Sequence, residues 1–178
     1  MTDIQELGAP AVAVRWRGPS ARRWAIFAAL AIVVVVLDRL TKGWVLANLP
    51  NVGDRMSVVG EYVRLVHWRN TGALFGLLPD TAAVFAIVSF GVAALIVWYH
   101  RTAGRGILVT VALGLLLGGA IGNLIDRLFL KSVVDFVDVG VGTLRFYTFN
   151  IADAGISTAI VLLIGMALVP RLGEVGAE

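Results

Sequence analysis

With 178 residues the chain is long enough for one ordinary domain and too short for two. It is 58% hydrophobic and 15% charged, with a mean hydropathy of +0.86, against about 45–50% apolar and about 25% charged in soluble domains. That composition excludes a disordered chain, a nucleic-acid-binding domain and a secreted disulfide scaffold. The absence of cysteine removes thiol nucleophiles and Cys-ligated zinc, and the chain reads as an integral membrane protein.

Charges mark the spans, because crossing ~30 Å of hydrocarbon takes about 20 mostly apolar helical residues. The first apolar segment is the unusual one. Only the 14 residues from Trp24 to Leu37 separate Arg23 from Asp38, so a full crossing has to continue through Asp38, Arg39 and Lys42. Uncharged runs then extend over Thr81–His100 and Gly106–Ile125, each of 20 residues, and over the 17 residues Ala154–Pro170. The expectation is an all-α membrane protein with four transmembrane helices, at about 24–46, 81–100, 106–125 and 154–170. Residues 1–23 form a basic arm, 24–170 the membrane domain and 171–178 a tail. The first span lacks the short clean core of a removable signal peptide and reads as a retained signal-anchor.

An even number of spans puts both termini on one side. Seven of the 15 basic residues lie there and eight on the other, so the raw count is neutral. The four arginines at 15, 17, 22 and 23 and the tight Arg101–Arg105 turn place that side in the cytoplasm. Two long loops, 47–80 and 126–153, then share the outer face, with eight of the 12 acidic residues.

Asp38 and Lys42 share a helix face four residues apart. They are either a neutralising pair that lets the helix insert or part of a site. Asn70 precedes helix 2, Asn123 and Asp126-Arg127 end helix 3, Asp153 opens helix 4, and Asp135 and Asp138 fall in the loop between. Asp54 and Asp80 read as interfacial residues facing headgroup water. Gly114, Gly118 and Gly122 form two overlapping G-x-x-x-G steps, a helix-packing signal. Tyr62–Trp68 and Thr143–Phe149 are rich in β-branched and aromatic residues and predict strands of a small outer sheet. Ala73–Leu78, flanked by Gly72 and Gly76, reads as an interfacial apolar stretch.

Nucleophiles can be eliminated in turn. None of Ser20, Ser57, Ser89, Ser132 and Ser157 sits in a G-x-S-x-G elbow, and the two histidines, His67 and His100, lie on opposite faces. Neither H-E-x-x-H nor G-x-G-D occurs. Carboxylates remain, and a close pair in which one keeps a proton serves as acid and base together. Spacing leaves Asp135 with Asp153 and Asp126 with Asp153 both open. A small transporter or proton-conducting protein using buried aspartates is the competing class, and a scaffold binding helices through its G-x-x-x-G face is another.

Five ordered motifs carry a resemblance: D-R-L-T-K at 38–42, N-T-G-A-L-F at 70–75, G-N-L-I-D-R at 122–127, V-V-D-F-V-D at 133–138 and F-N-I-A-D at 149–153. Together they resemble the lipoprotein signal peptidase (signal peptidase II) family across about residues 24–170. Leu74, where that family usually carries a small residue, is the one departure. The resemblance implies an intramembrane aspartic endopeptidase of bacterial cytoplasmic membranes. Its substrates would be prolipoproteins, cut on the amino side of a diacylglyceryl-modified cysteine. It implies Asp135 and Asp153 as the catalytic pair, with Asn70, Asn123, Arg127 and Asn150 holding the substrate backbone and orienting the dyad. Asp126 would support Arg127 or the loop. Asp38 and Lys42 would brace the site from helix 1, and Gly122 belongs to the supporting set. No metal, other cofactor or nucleic acid is implied; membrane lipid is the surroundings, and the protein is expected to be monomeric.

Overall fold

The structure, a computed structural model, describes residues 18–71, 82–103, 106–169 and 171. The stretch 73–78 with its flanking glycines, Leu74, Asp80 and most of the arm and tail lie outside these residues.

Among the described residues, four helices are long and apolar enough to cross a membrane. Helix α1 runs over Ala21–Asn48, with the Ser20 hydroxyl accepting the Arg23 N–H at its start. At 1.5 Å per residue its 28 residues extend about 42 Å, which leaves Asp38 and Lys42 inside the helix with a further turn beyond them. Helix α2 spans Ala82–Ala103, α3 Ile107–Leu130 and α4 Ile151–Leu168. Helix α3 continues past the predicted end at 125, so Asp126 and Arg127 sit on its last turns. It stops where Lys131 takes a left-handed conformation.

Helix α3 is the central element: 56% of its apolar span is buried, against 17–22% for the other three. Phe27 and Ala31 of α1, Ile96 of α2 and Leu113, Leu117 and Ala120 of α3 form one core. The glycines set how close the helices come. A Cβ at Gly118 would stand 2.7 Å from Val34 Cβ and 2.8 Å from the Ala31 carbonyl on α1. One at Gly119, about 100° further round the helix, would overlap Ala152 and Ile156 of α4. The G-x-x-x-G reading is thus realised as the α1–α3 contact. Outward-facing Ile87, Phe90, Val161 and Leu168 are each at least 69% exposed, as befits surfaces solvated by lipid.

A four-stranded antiparallel sheet, in the order β1-β2-β3-β4, caps the end of the bundle that α1 and α3 run towards. Strands β1 (Arg55–Val59) and β2 (Val63–Asn70) come from the first long loop, and β3 (Val133–Val141) and β4 (Leu144–Arg145) from the second. Val45 of α1 and Leu49, which caps its end, pack with Phe136 of β3 and tie the sheet to the bundle.

The second loop departs from expectation. Asp135 and Asp138 lie on β3 rather than in a loop, because Val133, Val134, Val137, Val139 and Val141 supply a β-branched strand that pairs with β2. Within the predicted 143–149 strand only Leu144–Arg145 is regular, followed by a single bridge from Phe149 to Val137. The hairpin back from β3 turns at Gly142, whose φ of +54° is accessible to glycine at little cost.

A register shift between Leu65 and Trp68 has a chemical consequence. Leu65 pairs with Val137, and unbroken pairing from there would set His67 against Asp135. The shift places Trp68 there instead. His67 is buried, with Nδ1 2.9 Å from the Leu49 carbonyl oxygen.

Candidate active site

Helices α3 and α4 and strand β3 bring the polar motifs together. Asn150 caps α4 through a reciprocal box: its Oδ1 accepts the Asp153 N–H at 2.9 Å, and Asp153 Oδ2 accepts the Asn150 N–H at 3.2 Å. The same Asn150 turns its amide towards the sheet. Its Nδ2 donates to Asp135 Oδ1 at 2.7 Å and lies 3.2 Å from Asn123 Oδ1 and 3.3 Å from the Val134 carbonyl oxygen. Asn123 Nδ2 donates to Asp153 Oδ1 at 2.7 Å, and Asn70 Nδ2 donates to Asp135 Oδ2 at 3.2 Å. Asp135 is therefore held by two amide donors from other segments of chain, and Asp153 by the Asn123 amide of α3 and the N–H of its own helix cap.

Asp135 is 3% exposed. Burial, followed by the neighbouring charge of Asp153, raises its pKa to about 7, although the Asn70 and Asn150 amides pull the other way. Asp135 and Asp153 line one cavity of about 660 Å³ with Asn70, Asn123 and Arg127. Val88 and Val92 of α2, Leu116 and Ala120 of α3 and Ile156 of α4 give that cavity apolar walls at helix depth.

A second layer lies behind. Lys42, fully buried, places Nζ 2.7 Å from Asp38 Oδ2, 2.9 Å from Asp126 Oδ2 and 3.1 Å from Asn123 Oδ1. Asp38 Oδ1 accepts the Ala152 N–H at 3.0 Å, so α1 grips the first turn of α4. Gly122 permits this: a Cβ there would lie 2.9 Å from Asp38 Oδ2 and 3.2 Å from Ala152 Cβ. Asp126 pairs with Arg39 and Lys42 and accepts the Val134 N–H at 3.0 Å. It thus joins strand β3 to α1, and its cationic partners among the described residues come from α1 rather than from Arg127. Arg127 donates to the Asn123 carbonyl at 3.3 Å and its guanidinium stands 5.8 Å from the Phe85 ring centroid.

Of the two carboxylate pairs that spacing leaves open, only Asp135 and Asp153 share the cavity lining; Asp126 is fully buried and does not line it. Sequence reasoning missed Arg39, although its place in D-R-L-T-K is a signal. It also missed Phe146 and Tyr147, which line the same cavity and lie in the 143–149 segment read from its aromatic residues only as a strand.

The signal peptidase II family model matches residues 30–169. The chain belongs to that family. It is 38% identical over 146 residues to the lipoprotein signal peptidase of Shouchella clausii, covering 82% of this chain and 94% of that one. The lipoprotein signal peptidase of Geobacillus thermodenitrificans is 37% identical over 142 residues, covering 79% and 88%. The Staphylococcus aureus lipoprotein signal peptidase is 33% identical over 136 residues, covering 76% and 83%. Two solved structures, each described as a bacterial membrane enzyme determined in meso, share the fold. One superposes with a TM-score of 0.76 at 29% identity, covering 86% of this chain and 94% of the other. The second gives 0.72 at 31% identity, covering 82% and 93%. Family membership makes the chain a multi-pass bacterial membrane peptidase, hence a hydrolase, and removes the transporter and scaffold readings.

Proposed function

We propose that this signal peptidase II family member removes signal peptides from prolipoproteins. It would hydrolyse the bond on the amino side of a diacylglyceryl-modified cysteine, with Asp135 and Asp153 as an aspartic dyad. The observation that carries this reading is the shared cavity: both carboxylates line it, joined through Asn150 and surrounded by apolar helix walls.

The chemistry follows from the environments. Asp135, with a pKa of about 7, carries the proton over the neutral and acidic range. Asp153 sits in the first turn of α4, at the positive end of the helix dipole, and accepts the Asn123 amide and the Asn150 backbone N–H. It is the carboxylate that takes a proton from water as the oxygen attacks the scissile carbonyl. Asp135 gives its proton to the carbonyl oxygen as charge develops there; as the C–N bond breaks, the proton on Asp153 passes to the departing amine and a hydroxyl of the diol returns its proton to Asp135. Arg127 and Asn70 line the cavity where they can hold the substrate backbone.

The apolar walls match a substrate whose signal peptide is an apolar helix and whose cysteine bears two acyl chains. Such a substrate is already anchored at the depth of the site. The orientation that serves it places the sheet outside and both termini, with the basic arm, in the cytoplasm. Arg22, Arg23 and Arg101 at the bundle end opposite the sheet support that direction. The enzyme acts as a monomer in this reading.

The test is cleavage of a purified diacylglyceryl-modified prolipoprotein in detergent by wild type beside Asp135→Asn. The expected result is a product with an amino-terminal lipid-modified cysteine from wild type alone. A folded wild type that leaves the substrate intact overturns the reading.

A further inference from the structure

A second cavity meets the first at Asp135. It has a volume of about 440 Å³ and lies over the sheet, with Trp68, Arg69, Thr71 and Arg145 lining it and not the first. Asn70, Asp135, Phe146, Tyr147 and Thr148 belong to both cavities. A chain cut at Asp135 therefore has one chamber on each side of the bond. The helix-side chamber adds apolar walls at helix depth to its polar groups, and suits signal peptide and acyl chains.

The sheet-side chamber has different chemistry. Two arginines and Thr71 face it and not the helix-side chamber, and an acyl chain seated there would strip water from them without replacing its hydrogen bonds. An extended peptide brings backbone donors and acceptors of its own. The charges narrow the choice further. Arg145 is matched, with Nε 2.6 Å from Asp138 Oδ1. Arg69 lies 3.4 Å from the Ser132 hydroxyl and has no carboxylate partner among the described residues. The register shift in β2 also serves this chamber, because it sets Trp68 opposite Asp135 as a wall.

Resting on the proposed dyad, we infer that the sheet-side cavity is a subsite for the first residues after the modified cysteine. It takes them as extended peptide bearing uncharged or acidic side chains. The enzyme then reads the start of the mature chain as well as the signal peptide and lipid.

The test uses the full-length protein in detergent and two lipid-modified substrates. One ends in an amide at the modified cysteine; the other continues into the mature sequence. Wild type is expected to cut the longer substrate with a kcat/KM about tenfold higher, carried by KM. In Trp68→Ala that advantage collapses, while in Leu144→Ala, whose side chain lines neither cavity, it persists. Lysine in place of aspartate just after the cysteine slows wild type several-fold and loses its effect in Arg69→Gln. Equal kcat/KM for the two substrates in wild type overturns the inference, as does an advantage that survives Trp68→Ala. Indifference to the lysine exchange overturns the acidic preference. Cleavage of neither substrate by folded wild type overturns the dyad reading and this inference with it, and is distinguishable because no length comparison then arises.

Discussion

The Asn150 amide donates to Asp135 Oδ1 at 2.7 Å, across 15 residues of sequence and from helix cap to strand. Its backbone N–H and side-chain oxygen meanwhile close the capping box with Asp153. One residue thus sets the position of both proposed catalytic carboxylates. Asn150→Ala removes the N-cap, worth about 1 kcal/mol, together with the link to Asp135. We expect a modest fall in detergent melting temperature and a fall in kcat of about a hundredfold. A kcat within twofold of wild type shows that the link has no catalytic role.

Asp135→Asn and Asp153→Asn are each expected to lower turnover by about a thousandfold or more, since each removes an acid–base partner from the proposed dyad. Membrane insertion and melting should change little. Cleavage of a lipid-modified prolipoprotein by the purified variants checks this, and substantial residual turnover in one of them takes that residue out of the dyad.

The pKa of about 7 at Asp135 fixes the sign of a pH effect. A dyad that needs one proton on Asp135 loses it as pH rises through 7, so kcat/KM falls on the alkaline side with the slope of one group. The Asn70 amide favours the charged form of Asp135. Asn70→Ala therefore moves the alkaline limb to higher pH, and a profile measured for both proteins decides it: an unmoved or lowered limb refutes the assignment.

Lys42→Met leaves Asp38 and Asp126 buried without their shared cation. Breaking a buried ion cluster from one side costs about 3–5 kcal/mol. Pairing the change with Asp38→Leu removes one stranded charge and is expected to recover part of the loss, with Arg39 still facing Asp126. Thermal unfolding of wild type and the two variants tests whether the cluster braces α1 against α4 in this way.

Gly118→Leu forces a side chain into Val34 and Ala31 of α1 and is expected to lower stability by at least about 1–3 kcal/mol. Gly43→Ala meets nothing within 4 Å and removes a helix-interior glycine, so it should be neutral or stabilising by up to about 1 kcal/mol. Melting temperatures in one detergent give the comparison, and a harmless Gly118→Leu means the α1–α3 contact is looser than described.

Much of this was legible along the chain. Four apolar runs predicted four spans, since a bilayer demands about 20 apolar residues whatever the neighbours are. The Asp38–Lys42 pair followed from helical spacing alone. Local order also predicted β2, where Tyr62–Trp68 overlaps the observed strand. Strand β3 escaped because its charged and apolar residues do not alternate: Val134, Asp135 and Phe136 are all buried, some against the helices and one in the cavity. A period-2 signal requires one wet face, and this strand has little of it.

What the sequence determined by itself was the class of molecule, the membrane-crossing pattern and the set of residues able to do acid–base chemistry. These depend on composition and on spacing within one element. Only the tertiary structure decided which carboxylates share a cavity, that Asp126 turns inward to Lys42 and Arg39, and that Trp68 rather than His67 stands opposite Asp135. Those outcomes depend on how closely α1 and α4 approach the glycines of α3 and on a one-residue shift between strands from different loops. Both are set by packing between distant segments, and no local pattern encodes them.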